Sequence, residues 1–489
     1  MKRFQYFCGG KLITINLQSI LETTAQAHPR RGRQMTTLMA AAPQESGERI
    51  LRTLAKQRKR FTTRFSDLSE ATLMLAPARP AQATVIPTEC VVVDGARTSE
   101  MRWLHNKFGT EVVQEGRRGK ALLQVPSDGG NGVNVAACAA RELFQRGHVA
   151  AAHPNFLRLI QRPGPSARSS SKQWALDNPG QPGIIGADVH ALAAWTITSG
   201  SPGIRVAVLD EGVDTGHPYL RGAVVEEADF VDEHAHARPD GDDAHGTACA
   251  GIISSQNKRV RGLAPQTGLV AVRIAKSNAA GFWIFDDFDT ADAIDWAWGD
   301  AQVDVLSNSW GGGPPVDVII NSFERARTRG RSGRGAVVVV AAGNDAGPVS
   351  FPGNLDTVLT VGASNQWDEQ KTPRSRDGEQ WWGSNFGPEL DLVAPGVQVR
   401  TTDIRGRRGY ERTLVTGSFN GTSAATPHVA AAAALILSVA PRLPELRVRE
   451  LIKSTADPLT TDGLPNDRVG HGRLNTYAAL RAARREAHG

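Results

Sequence analysis

Residues 336–344 read "AVVVVAAGN". Seven apolar residues in succession are too many for a strand with one wet face, which would alternate, and too few for a helix of ordinary length. The stretch therefore reads as a strand buried on both faces, ended by Gly343 and Asn344. Similar runs occur at Val206–Leu209, Leu269–Val272, Val305–Leu306 and Val358–Val361, separated by helix-length stretches. Repetition of that pattern predicts an α/β fold with a doubly wound, mainly parallel sheet. Such sheets present reactive groups at the carboxyl ends of their strands, so the residue after each run matters most.

Asp210 directly follows "VAVL", His245 lies in "DDAHGTACAG" (242–251), Asn344 ends the opening stretch, and Ser423 lies in "NGTSAATPHVA" (420–430). Each has an ordinary explanation taken alone: a loop-capping aspartate, a core histidine, a turn asparagine, a helix N-cap serine. All four, however, fall at strand-to-loop or loop-to-helix junctions of one predicted sheet. Acyl transfer needs an oxygen nucleophile, an imidazole to take and return its proton, a carboxylate to fix the imidazole tautomer, and donors for the oxyanion. Ser423, His245, Asp210 and Asn344 supply those types in that order. A helix beginning at Ser423 would add free N–H groups and the positive end of its dipole.

The first third of the chain is different. From Cys90 onward, "CVVVD", "TSEMRWLHNKFG", "TEVVQE", "ALLQVP", a helix over 133–144 and "HVAAAHPN" give the order strand, helix, strand, strand, helix, strand. That is the split βαβ order of a small ferredoxin-like α+β unit. Residues 161–172, "QRPGPSARSSSK", read as an exposed linker open to proteolysis. The divisions are then an N-terminal extension (1–85), the small unit (86–160), the linker (161–172) and a large α/β domain (173–489).

Charge sets a further bound. Fifty-six Lys and Arg against 50 Asp and Glu give a net charge of +6. The excess sits in residues 30–64, from Arg30 to Arg64, opposed there only by Glu45 and Glu48, and the rest of the chain is slightly acidic. A solvated basic segment explains this, and no nucleic-acid partner is expected. Four cysteines in 489 residues do not make a disulfide scaffold and suit a reducing compartment. The N-terminus has a basic start but no continuous apolar segment, so no signal peptide is read and a cytoplasmic location is expected. No uninterrupted apolar run of 18 residues occurs, and no membrane span is expected.

The motifs together resemble those of the subtilases, the subtilisin-like serine peptidases. "VAVLDEGVDTGHP" is similar to their aspartate motif, "HGTACAG" to the histidine motif, "SWGGG" (309–313) to the substrate-binding strand, "AAGN" to the oxyanion asparagine and "NGTSAATPHVA" to the serine motif. Glu211, Cys249 and "GRSGRGAVVVVAAGN" resemble the kexin branch in detail. The sequence ends soon after the last motif, so the β-sandwich that follows in kexins is not expected.

The resemblance implies a serine endopeptidase made as a zymogen, with polypeptide substrates. Catalysis would fall to Asp210, His245, Ser423 and Asn344, and substrate binding to Ser309, Trp310, Gly311 and Asp345. The small N-terminal unit would be a propeptide acting as intramolecular inhibitor. No cofactor is implied for catalysis. Tyr219 stands where many subtilases carry a calcium ligand and the loop "SSQNKRVRG" is short and basic, so that calcium site is expected to be lost while other structural calcium stays open. Asp345 with Asp286, Asp287 and Asp289 suggests an acidic cleft preferring basic residues before the cut; the alternative is that the three clustered aspartates favour a helix N-terminus. Two other functions are compatible with the composition: a zinc-dependent hydrolase using His234, His236, Asp242, Asp243, His245 and Cys249, and a catalytically inactive scaffold that holds peptides.

Overall fold

A computed structural model of the protein describes residues 2–8, 11–19, 74–75, 83–126, 132–161, 164–166, 169–170, 172–232, 236–277, 282–459 and 463–488. The basic segment 30–64, His234 and the candidate cleavage residues Arg162 and Arg168 lie outside the described residues.

The chain order opens with strands β1 (Lys2–Cys8), β2 (Lys11–Ser19), β3 (Met74–Leu75) and β4 (Ala83–Asp94). Helix α1 (Thr98–Phe108), β5 (Glu111–Glu115), β6 (Lys120–Gln124), α2 (Gly132–Gln145) and β7 (Ala151–Gln161) follow. Next come α3 (Ala191–Ala194), β8 (Arg205–Asp210), β9 (Val224–Asp229), α4 (His245–Ser254), β10 (Gly268–Arg273), β11 (Ala275–Ser277), β12 (Phe282–Asp286) and α5 (Asp287–Gly299). The remainder is β13 (Val305–Asn308), α6 (Asp317–Gly333), β14 (Val337–Ala341), β15 (Leu359–Ser364), β16 (Leu392–Pro395), β17 (Val399–Thr402), β18 (Val415–Phe419), α7 (Thr422–Val439), α8 (Glu445–Ser454) and α9 (Thr476–His488).

Two compact units divide this chain. The first comprises residues 1–162 together with 277–292 and 313–321. Its main sheet has the order β11-β12-β7-β4-β6-β5, antiparallel at each of the pairings from β12 to β5. Val91, Val93, Leu104, Leu123, Ala136, Ala140 and Leu143 form its core between sheet and helices. The sequence reading assigned 277–292 and 313–321 to the large domain alone. They join the first unit because β12 pairs with β7, from Phe282 opposite Gln161 to Asp286 opposite Leu157. Buried Arg158 forks onto both carboxylate oxygens of Asp287 and donates to the Pro314 carbonyl. The β1/β2 hairpin belongs here as well: Tyr6 donates to the Pro315 carbonyl at 2.6 Å and packs on Phe156, and the Cys8 thiol donates to Asp317 at 3.2 Å.

The second unit holds the predicted parallel sheet, seven strands in the order β16-β15-β14-β13-β8-β10-β9, every pairing parallel. Val337–Ala341 of the opening stretch is buried at every position. Helix α7 is buried from Thr422 to Leu437 and carries small residues at 424, 425 and 430–434, which let it lie close to the sheet. By length and apolar character it could cross a membrane, but 89% of it is buried in this core. The linker is less open than its composition suggests. Gly164, Pro165 and Lys172 are exposed, yet Ser166 is buried, and the N–H groups of Ser166 and Ser170 donate to the carbonyls of Ser418 and Gly417 at 2.9 and 2.8 Å. Part of it thus runs along β18, where unpaired backbone groups were available.

Candidate active site

The four junction residues all lie in the second unit, Asp210 paired with His245 and Asn344 hydrogen-bonded to the turn that carries Ser423. Asp210 ends β8, the strand between β13 and β10, and Gly212 at φ 107° turns the chain away. Helix α4 starts at His245 and approaches that turn so closely that a Cβ on Gly246 would lie 2.2 Å from the Gly212 carbonyl oxygen. Only glycine allows the approach, which brings His245 Nδ1 within 3.0 Å of both Asp210 carboxylate oxygens. Two carboxylate oxygens on that side favour a proton on Nδ1, the tautomer that leaves Nε2 to act as a base. The backbone is held too: the His245 N–H donates to Glu211 Oε1 at 2.7 Å, and the Glu211 N–H to Asp210 Oδ1 at 2.8 Å. Glu211, noted in sequence only as a second acid, therefore fixes the histidine's main chain. Phe419 stands edge-on to the imidazole at 5.2 Å.

Ser423 is the second residue of α7, after Gly421 at φ 106°. Its Oγ donates to the Ser309 carbonyl at 3.2 Å, and Ser309 Oγ donates back to the Ser423 carbonyl at 3.0 Å. The Cys249 thiol donates to the same carbonyl at 3.5 Å. Asn344 Oδ1 accepts from the N–H and the hydroxyl of Thr422 at 2.8 and 3.1 Å. That fixes the amide's orientation, with Nδ2 on the side away from Thr422, as a donor to an oxyanion requires.

The predicted substrate-binding residues are placed unequally. Ser309–Gly311 continue from β13. Trp310 is buried and stacks on Phe323, so it offers substrate only its backbone. A Cβ on Gly311 would meet the Phe351 carbonyl at 2.8 Å. Asp345 is half-buried; its N–H donates to Asn385 Oδ1 at 2.7 Å, and burial pushes its carboxyl pKa up to about 6.

The other three aspartates do not line an open cleft. Asp286 accepts from Asn155 at 2.7 Å and caps the N–H groups of Phe288 and Asp289, Asp287 holds Arg158, and Asp289 accepts from Gln114 at 3.2 Å. They serve the start of α5, the alternative that the sequence left open. Among the described residues the proposed zinc ligands are not grouped together either. His236 is engaged by Glu227 at 2.9 Å, and His245 and Cys249 are grouped with Asp210 instead. Sequence reasoning missed Asn385, whose side chain braces the turn after Asn344; the only signal was its place in "NFGPELDLVAPG".

A parallel sheet with a buried Asp–His pair at the end of β8 and a serine at the head of a buried helix is the pattern of a class, the serine hydrolases. A family model described as the subtilase family matches residues 201–472. Subtilisin of Bacillus pumilus is 34% identical over 287 residues, 56% of this chain and 90% of that one. A thermophilic serine proteinase of a Bacillus species is 34% identical over 291 residues; the match spans 59% of this chain and 64% of the relative. Thermitase of Thermoactinomyces vulgaris is 31% identical across 60% of this chain and 93% of its own. Among solved structures, a protease from Pseudoalteromonas arctica matches with a TM-score of 0.52 and 26% identity, covering 66% of this chain and 100% of that chain. The chain belongs to the subtilase family, the subtilisin-like serine endopeptidases.

Proposed function

We propose that the chain hydrolyses peptide bonds through Ser423, His245 and Asp210. Ser423 Oγ attacks the scissile carbonyl, forming the C–O bond as its proton passes to His245 Nε2. Asp210 holds the imidazole tautomer and stabilises the imidazolium. Asn344 Nδ2 and the Ser423 backbone N–H receive the oxyanion. His245 then protonates the leaving amine, and water, deprotonated by the same nitrogen, resolves the acyl-enzyme. No cofactor enters these steps, since the chain supplies nucleophile, base and donors. The observation that carries the reading is the two-sided clamp on His245, ring on Asp210 and backbone on Glu211.

The same proposal has residues 86–160 act as an inhibitory propeptide, with cleavage within 161–172, supported by the strand and helix order of that unit and by the exposed Lys172. A preference for basic residues before the cut rests on Asp345 alone, now that the α5 aspartates are otherwise engaged. The cytoplasmic location remains a proposal from the N-terminal sequence. Labelling with a fluorophosphonate tests the central claim: the parent chain, once cut within 161–172 and freed of residues 86–160, should be labelled at Ser423 and cleave peptides. Ser423→Ala should do neither while folding normally. A folded parent that stays unlabelled after that cut and removal would point to the inactive scaffold.

A further inference from the structure

Residues 371–385 lie outside the aspartate, histidine, substrate-strand, asparagine and serine motifs, yet their buried polar groups end on the turns that present Ser423 and Asn344. Lys371 and Asp377 are fully buried and paired at 2.9 Å, and Lys371 Nζ donates as well to the carbonyls of Thr372 and Glu379. Asp377 Oδ1 accepts the Glu379 N–H at 2.9 Å. The Glu379 backbone is thus held from two sides. Its carboxylate, 5% exposed, receives three N–H donors: Trp382 Nε1 at 2.7 Å, Asn420 Nδ2 at 2.9 Å and Gln398 Nε2 at 3.2 Å. Asn420 is gripped at its other end too, where Oδ1 accepts the Gln398 N–H at 2.6 Å. Beyond Asn420 come Gly421, at φ 106° and without a side chain to stiffen it, then Thr422 and Ser423. The far end of the same segment reaches the oxyanion side. Asn385 Oδ1 accepts from the N–H groups of Asp345 and Gly347 at 2.7 and 3.2 Å, and the Gly383 N–H donates to the Asn344 carbonyl at 3.3 Å.

We infer that Glu379 is a positioning residue for the reaction, setting the height of the Ser423 turn through Asn420; the inference rests on Ser423 being the nucleophile. A buried carboxylate satisfied by three N–H groups makes short, directional bonds in a low-dielectric setting. The turn it anchors has a glycine at its centre, so the anchor decides where Ser423 stands. Displacing a nucleophile by about 1 Å lowers turnover by roughly 10²-fold. A neutral amide at 379 cannot replace the carboxylate, because one of its two ends would present hydrogens to donors. Two of the three donors share Oε2 and the third uses Oε1.

The test uses the full chain and compares the parent with Glu379→Gln and Glu379→Ala. Fluorophosphonate labelling rate and peptide turnover are expressed per folded molecule, with folding read by near-ultraviolet circular dichroism. Labelling rate and kcat should fall about tenfold or more in Glu379→Gln and roughly 10²-fold in Glu379→Ala, while KM changes little. Unchanged rates per folded molecule, with only a lower melting temperature, would show a purely structural residue and overturn the inference. If Glu379→Ala does not fold, the isosteric Glu379→Gln decides alone. With every chain first cut within 161–172 and freed of residues 86–160, a folded parent that neither labels nor cleaves overturns the serine-peptidase reading, and this inference with it, whereas an active parent with unaffected variants overturns the inference only.

Discussion

At the scale of single residues, Asn344 gives the sharpest prediction. Its amide oxygen is committed to Thr422, which leaves its nitrogen as the donor for the oxyanion in the proposed reaction. Asn344→Ala should lower kcat by about 10²–10³ with KM little changed, the scale known for such a donor in a subtilisin. A change confined to KM would make Asn344 a binding residue. His428 makes a second prediction. It is buried in α7 with Nδ1 donating to the Ala424 carbonyl at 2.8 Å, and burial depresses its pKa from 6.5 to about 4. The unfolded chain therefore takes up a proton near pH 6.5 that the folded chain refuses until about 4. This contribution to stability is whole above pH 6.5 and is lost as pH falls towards 4. Urea unfolding of the Ser423→Ala chain across that window should show stability rising with pH, less steeply in His428→Gln; equal slopes would discount the histidine. Asp210, His245, Ser423 and Asn344 stood out in sequence because each follows a buried run or opens a helix. Glu379 and Asn385 were not, because what defines them is their partners, and no spacing in the chain encodes a partner such as Asn420, 41 residues later.

At the scale of elements, the parallel strands were legible because burial on both faces writes itself as an unbroken apolar run. Two other strands were not. β9 reads "VVEEAD", half-exposed along most of its length, and β12 reads "FWIFD" inside what looked like a loop. The misplacement of Asp286, Asp287 and Asp289 came from the same element: their partners lie on β5 or β7 or just beside them, more than 100 residues earlier. The buried Arg158–Asp287 pair at the β7/β12 seam can be tested directly. Arg158→Ala leaves a buried carboxylate without its cation and should destabilise the first unit by about 3–5 kcal/mol. Adding Asp287→Ala should recover part of that loss, because the stranded charge is gone. Urea melts in the Ser423→Ala background check this, and a double variant no more stable than Arg158→Ala would contradict it.

At the scale of the whole molecule, the linear divisions predicted from composition differ from the compact units in one respect. The first unit is discontinuous, built from residues before the linker and from two segments that follow it by over 100 residues. Composition could not reveal this, because both later segments sit within a sequence that otherwise belongs to the large sheet. If the chain is cut once within 161–172, both products still contribute to the first unit, through the β7/β12 pairing and the Arg158–Asp287 ion pair. The two fragments should co-elute on gel filtration in native buffer and separate in denaturant. Separation in native buffer would mean that β12 and the 313–321 segment add little to holding the N-terminal piece.

That discontinuity also governs the order of events during synthesis. β7 leaves the ribosome well before β12, its antiparallel neighbour, has been polymerised; at roughly 5–20 residues per second the interval is on the order of ten seconds. Through that interval β7 presents an open edge of backbone donors and acceptors, along with an arginine whose counter-ion is not yet made. A nascent chain in this state is exposed to pairing with the same edge on a neighbouring chain of the same polysome. Yield in the cell is thereby tied to translation speed between Gln161 and Asp287, a quantity set by codon choice as well as by the folded structure.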